Sequence, residues 1–270
     1  IALNNVTARQ SATRGILVDL NAVTLTGANP SVFIAGQNTA LSTNNGGDGI
    51  LMNLNAVVGA TPRPDLSIIR YLQVDQNAGR GIALDSNGSG ADVVIVSNNN
   101  VTNSTAGQGI QVDLTGSLVT SLAIASDTIS DSSNRGLDVI LDGVTGSPVI
   151  GISDIAVLRS GGRGVSVDGS TAVLGNVTLT NVSSGSAAVG SGTTANEGVV
   201  VLFDTNSTTG SIALNNVSAR RSAARGILVD LNAVTLTGAN PSVVIDGQNT
   251  ALATNNGGDG ILVNLNTVTG

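Results

Sequence analysis

The stretch Arg14-Gly15-Ile16-Leu17-Val18-Asp19-Leu20-Asn21 decides the fold, because the chain keeps returning to it. A glycine followed by alternating apolar residues recurs as GILMNL, GIALDS, GIQVDL, GLDVIL, GVSVDG, GVVVLF, GILVDL and GILVNL. The leading glycines are Gly15, Gly49, Gly81, Gly109, Gly136, Gly164, Gly198, Gly226 and Gly260, spaced 27–34 residues apart. The first, third and fifth residues after each glycine are apolar almost throughout, as in Ile16/Val18/Leu20 and Val199/Val201/Phe203. Strict alternation sends successive side chains to opposite faces, so each unit contains a half-buried strand. A second apolar segment lies about halfway along, as Ile1/Leu3/Val6 or Val177/Leu179/Val182, with Gly, Asn, Ser and Asp in the gaps. Those residues are turn formers. No stretch shows a capped helical period, so no helix is expected.

One strand per unit in a constant register excludes a hairpin sheet, whose strands alternate direction across tight turns. The pattern predicts an all-β chain: a parallel β-solenoid with coils of 27–34 residues, stacked about 4.8 Å apart. That coil length suits three sides. Seven units make a longer repeat of 211 residues, since residues 1–59 return as 212–270 with nine differences. The expected organisation is a single continuous solenoid over 1–270, with one complete seven-coil module at 1–211 and the start of the next at 212–270. A chain that opens without Met and stops inside its second module reads as a window on a longer tandem array.

Composition supports a stacked fold and removes much chemistry. The chain has 35 Gly, three aromatics, no Cys, no His and no Trp, and its 11 basic residues are all Arg. No imidazole or thiolate exists for a metal site or a Ser-His or Cys-His nucleophile, and no disulfide is available. A net charge of −7 without a basic run argues against nucleic acid as a partner. The 41% hydrophobic content argues against disorder. No run of about 18 apolar residues is present, so no membrane-spanning helix is expected.

The Gly-Ile-x-Val-Asp-Leu strand, its following turn and the Ile-x-Leu-x-Asn-Val strand resemble coils of right-handed parallel β-helix proteins of the pectate-lyase-like class. The steps Asn4-Asn5, Asn98-Asn99-Asn100 and Asn215-Asn216 are similar to the turn asparagines that stack into ladders there. The likeness extends to the tandem-repeat regions of very large secreted or surface-attached bacterial proteins. It implies right-handed coiling and an extracellular or cell-surface location. The motifs concern folding rather than chemistry, and fold alone does not give function.

In a solenoid, chemistry is sought down columns of equivalent positions. The residues just before each glycine are Arg14, Asp48, Arg80, Gln108, Arg135, Arg163, Glu197, Arg225 and Asp259. Their signs mostly alternate, which predicts a solvated ladder of ion pairs with one like-charge step at Arg135/Arg163. The fourth residue after each glycine forms a second, outward column with Asp85 and Asp113 as direct neighbours, and with Asp168 further along. Asp138 and Asp142 are expected to point outward on the coil between. Adjacent carboxylates on a rigid face raise one another's pKa, or hold a hard cation, for which Asp85 and Asp113 are the candidates. Enzymes of the resembled class work on such an outward face, and Asp85, Asp113, Asp138, Asp142 and Asp168 are the residues an enzyme would use. Such enzymes also use His, Lys or Arg beside the carboxylates. This chain lacks His and Lys, and no Arg is expected on that strand face, so no catalysis, cofactor or resident metal is expected.

Three functions remain. The first is a structural extracellular repeat protein, building a stalk, fibre or filament, whose partner is itself through a longer array or head-to-tail assembly. The second is a polysaccharide-binding or polysaccharide-cleaving β-helix using the outward aspartates. The third is the spacer rod of a large adhesin. Longer coils add residues around Gly27 to Gln37, Gly59 to Pro64 and Ser183 to Glu197, where binding loops would sit. These loops are small and polar, without an aromatic platform for sugars.

Overall fold

The computed structural model describes residues 1–26, 31–59, 65–185, 194, 196–238, 241–246 and 253–270, with the side chains of 37–40, 59, 65–67 and 91 also left aside. Most of the three expected insertions fall outside the described residues. The chain is an all-β parallel solenoid. One sheet runs Ile16–Asn21, Ile50–Asn55, Ile82–Asn87, Ile110–Asp113, Leu137–Ile140, Val165–Ser170, Val199–Asp204, Ile227–Asn232 and Ile261–Asn266, each strand beside its successor one coil on. The glycine-led units therefore stack in the register their sequence implies: Ile16 beside Ile50, Ile110 beside Ile82 and Leu137, Ile227 beside Ile261. A second, larger parallel sheet carries the midway segments, among them Ala2–Asn4, Leu118–Ala125, Val149–Leu158, Val177–Ser184 and Ile212–Asn215. Among the described residues there is no helix, so none crosses a membrane.

The core is a set of aliphatic columns. Ile50, Ile82, Ile110, Leu137, Val165 and Val199 are each at most 1% exposed, as are Met52, Leu84, Val112, Val139, Val167 and Val201 behind them. Fully burying such a side chain contributes about 1.5–3 kcal/mol each. Stacking like on like lets adjacent coils interlock, and one exception shows how volume is conserved. The ring of Phe203 lies over Gly169 of the coil before it, where an added Cβ would come within 2.9 Å of ring carbons.

The leading glycines are required for space, not for an unusual backbone. A Cβ at Gly109 would stand 2.2 Å from Ile129 Cγ2 and 2.8 Å from the Gly136 carbonyl oxygen of the next coil. Close approach lets Gly109 N–H donate to the Arg135 carbonyl at 3.0 Å, and the same bond recurs from Gly15, Gly49, Gly81 and Gly136.

Left-handed backbone appears instead at the turns. The seventh residue after every leading glycine has positive φ, from 49° at Ala56 to 65° at Gly116. Only three of these nine residues (Gly88, Gly116 and Gly143) are glycine. Two more such columns occur per coil, one through Asn98, Ser126, Asp154 and Asn181, the other through Asn103, Asp131 and Arg159.

Candidate functional site

The charged column before each glycine and the outward aspartate column form one surface. The Arg80, Arg135 and Arg163 arms fold forward over their own strands, where Ala83, Asp138 and Ser166, two residues after the glycine, are buried. Arg80 donates from Nη2 to Asp48 Oδ2 at 2.9 Å, from Nη1 to Asp85 Oδ1 at 2.9 Å, and from Nη1 to Gln111 Oε1 at 2.7 Å. Its backbone N–H donates to Asp48 Oδ1 at 2.8 Å. Three successive coils are tied through one side chain. The expectation that no arginine shares the aspartate face is therefore overturned: Arg80, Arg135 and Arg163 all reach it, because a long aliphatic stem can cover a strand while its head pairs beyond.

The like-charge step is resolved on the same face. Arg135 Nη1 donates to Asp138 Oδ1 and to Asp168 Oδ2, the latter at 2.9 Å, while Arg163 Nη1 stands 3.5 Å from Asp168 Oδ1. Asp168 lies between two guanidiniums and cancels their repulsion. Arg163 continues to Glu197 at 3.3 Å, Arg225 links Glu197 at 3.7 Å to Asp259 at 3.6 Å, and Arg14 approaches Asp48 at 3.9 Å. Gln108 fills the uncharged rung and donates to Asp138 Oδ2 at 3.3 Å.

Burial differs from the expected solvated ladder. Asp138 is 1% exposed and lies under Arg135 rather than facing water, and Glu197 is 8% exposed. Asp142 is half-buried and accepts the Ser170 N–H at 2.9 Å. Asp85 and Asp113 are register partners, as their column requires. Asp113 Oδ1 accepts the Thr115 hydroxyl at 2.6 Å and its N–H at 3.0 Å, closing a local turn.

Electrostatics separate these carboxyls. Burial raises the Asp85 carboxyl above the ordinary carboxylate range, outweighing Arg80, with the charges of Asp113 and Asp48 adding to the rise. Burial likewise raises Asp168 against the pull of Arg135 and Arg163. For Asp48 burial also opposes ionisation, but the Arg80 side-chain and backbone bonds prevail and its carboxyl is held low.

Glycoside hydrolysis uses a carboxylic acid and a second carboxylate that both face the substrate. Both oxygens of Asp85 accept from Arg80 Nη1, at 2.9 and 3.0 Å, and Asp113 is held by Thr115. Among the described residues no three acidic side chains converge as a cation cage would need. The sequence carried an unread sign of this arrangement. Where Arg precedes the glycine, Asp follows as the fourth residue after it in four coils of five (Arg14/Asp19, Arg80/Asp85, Arg163/Asp168, Arg225/Asp230), the fifth pairing Arg135 with Ile140, whereas Asp48 and Asp259 are followed by Asn53 and Asn264.

A polar pair inside the wall gave no such sign. Asp127 is 1% exposed, and its Oδ1 accepts the Asn99 N–H at 2.7 Å and the Asn99 amide at 3.0 Å, while Oδ2 has no partner among the described residues. Asn99 in turn donates to the Ile69 carbonyl at 3.2 Å and accepts the Leu72 N–H at 3.2 Å. Neighbouring coils put Leu72 and Ile155 at this inward position. Burial pushes the Asp127 carboxyl up to about 7.

No family model matches the chain, and no curated protein matches it. Among solved structures, the catalytic domain of a GH87 alpha-1,3-glucanase in complex with nigerose is similar at 12% identity with a TM-score of 0.19. The match covers 99% of this chain and 64% of that domain, so the chain spans just under two thirds of its length. A likeness that weak carries no argument about activity.

Proposed function

We propose that the chain is a non-catalytic structural protein, a rod whose outer charges join coil to coil. The observation that carries the proposal is the charge ladder, bridged at its uncharged rung by Gln108 and Gln111: Asp48, Asp85, Asp138, Asp168 and Glu197 each pair with an arginine, and seven of the ten described ion pairs join different coils. Carboxylates engaged in this way are withdrawn from acid, base or nucleophile roles. Nine stacked strands give a rod on the order of 40 Å long.

The ladder also supports stacking beyond nine coils. The first coil repeats the rungs of the third, with Arg14, Ile16, Asp19 and Asn21 matching Arg80, Ile82, Asp85 and Asn87. The coil at Gly260 repeats the second. A first coil set upon it meets the groups that the third coil offers the second, including an arginine for Asp259, whose side chain is 61% exposed. The same rod would serve as a fibre, a stalk or the spacer of an adhesin, and the acidic, Cys-free, Asn- and Thr-rich composition supports a place outside the cell or on its surface.

Negative-stain microscopy of the 270-residue chain over a concentration series tests the reading. Thin rods of uniform width that lengthen with concentration, and shorten in Arg14→Glu, are expected. Polysaccharide cleavage that disappears in Asp113→Asn would replace this reading with an enzymatic one.

A further inference from the structure

Two of the three aromatic side chains in the molecule meet on one outer hollow, away from the charge ladder. Phe33 sits in register between Ala2 and Ile68, facing outward, and Ala35 is in register with Arg70. Beyond that pair the strands lose step. Ala35 opposes Arg70 and Ala40 opposes Leu72, so residues 36–39 stand opposite Tyr71 alone. The extra chain opens a hollow of about 460 Å³ walled by Asn4, Phe33, Gly36, Arg70 and Tyr71. Its volume is within the roughly 300–1,000 Å³ range of small-ligand sites.

Three features mark the hollow as more than an irregular corner. Tyr71 has φ 57° in a column otherwise filled by Asn5, Asn98, Ser126, Asp154, Asn181 and Asn216. Small polar residues tolerate this backbone and a bulky ring does not, at a cost of about 1–3 kcal/mol. The Arg70 guanidinium stands 5.6 Å from the Tyr71 ring centroid and, unlike Arg80, Arg135 and Arg163, pairs with no carboxylate among the described residues. Finally, two of the nine replacements between the duplicated segments fall here, with Val244 for Phe33 and Asp246 for Ala35. The second copy has lost the ring and gained a negative charge.

We propose that this hollow binds a saccharide unit bearing a carboxylate or sulfate. The guanidinium takes the anionic group through paired N–H donors. The Tyr71 and Phe33 rings take the apolar C–H face of the sugar, and the Asn4 amide and Tyr71 hydroxyl meet its hydroxyls. Among the described residues no acidic side chain lines the hollow to repel such a ligand. The site uses none of the ladder aspartates, so it is compatible with a non-catalytic rod and independent of it.

The chain reports on its own occupancy, since Tyr71 is its one tyrosine and Trp is absent. Tyrosine fluorescence is titrated with glucuronate oligomers, glucose oligomers of equal length and a poly-glutamate peptide. A saturable change with glucuronate oligomers is expected, weaker by about tenfold or more in Arg70→Gln and in added salt. Phe33→Val, which installs the residue of the second copy, weakens binding as well. Arg159→Gln removes the same charge on a distant coil and leaves binding unchanged. Equal binding of neutral oligomers, equal binding of the peptide, or indifference to Arg70→Gln overturns the proposal. Circular dichroism of each variant separates lost binding from lost fold.

Discussion

Replacing Asp127 by Asn is expected to stabilise the protein at neutral and alkaline pH, reversing the usual effect of a substitution in a packed wall. The carboxyl is 1% exposed, has one oxygen without a partner among the described residues, and is pushed up by burial from 3.8 to about 7. Its folded pKa lies above its unfolded one, so the native state holds the proton more tightly. The resulting stability is fully present below pH 3.8 and is lost as pH rises through about 7. At about 1.36 kcal/mol per pH unit, ionising this group inside the wall costs about 4 kcal/mol, most of it incurred between pH 5 and 8. Asn keeps the acceptor for both Asn99 bonds and carries no charge. Its amide also gains a donor for the Val96 carbonyl, the register equivalent of the Ile69 carbonyl that Asn99 uses. Asp48 and Asp131, whose carboxyls are held low by arginine, act in the opposite sense below pH 3.8, while the raised carboxyls of Asp85 and Asp168 add a loss above it that the parent and the variant share. Urea unfolding followed by circular dichroism from pH 5 to 8 provides the assay. The parent chain loses stability across the series more steeply than Asp127→Asn, which ends the more stable of the two at pH 8. A parent curve that is flat, or a variant no more stable at pH 8, refutes the reasoning.

Three further substitutions probe other parts of the wall. Gly109→Ala drives a methyl into Ile129 and the next coil's carbonyl, and a loss of about 3 kcal/mol or more is expected by the same unfolding assay. Ala56→Gly relieves an exposed left-handed residue at φ 49°, for a gain of up to about 1 kcal/mol after the unfolded chain's added freedom is deducted. Arg80→Met keeps the covering stem but leaves Asp48 and the half-buried Asp85 without their close partner. The variant therefore melts earlier at pH 7, and the difference narrows at pH 3 as the carboxylates protonate.

The solenoid was legible in the sequence because its cause is a repeated local pattern. Gly15, Gly49 and their successors mark a position where two backbones nearly touch, and the alternation after them states which side chains face in. Register followed from spacing alone. The turns were less legible. Ala22, Ala56 and Thr171 hold left-handed backbone although nothing in an isolated Ala or Thr announces it, since the stacked coils impose the conformation. Asp127 reads as an ordinary turn aspartate, and only the column through Leu72, Asn99 and Ile155 reveals that it points inward. On the outer face both charged columns could be counted, but their union could not. It depends on the reach of an arginine across its own strand, which neither column shows separately. The hollow at Tyr71 stayed hidden for a related reason: Phe33 and Tyr71 are 38 positions apart and meet only through a shift in strand register.

The account rests on outer charges that join coil to coil, and Arg135 with Asp168 is the pair in which that claim is most exposed. The two residues belong to adjacent coils and meet at 2.9 Å on a partly covered face. A double-mutant cycle of Arg135→Gln and Asp168→Asn, measured by urea unfolding at pH 7 and low salt, isolates their mutual energy from the effect of each alone. A favourable coupling of about 1 kcal/mol or more, diminished by added salt, is the predicted result. Additive effects, with no coupling at low salt, would contradict the account.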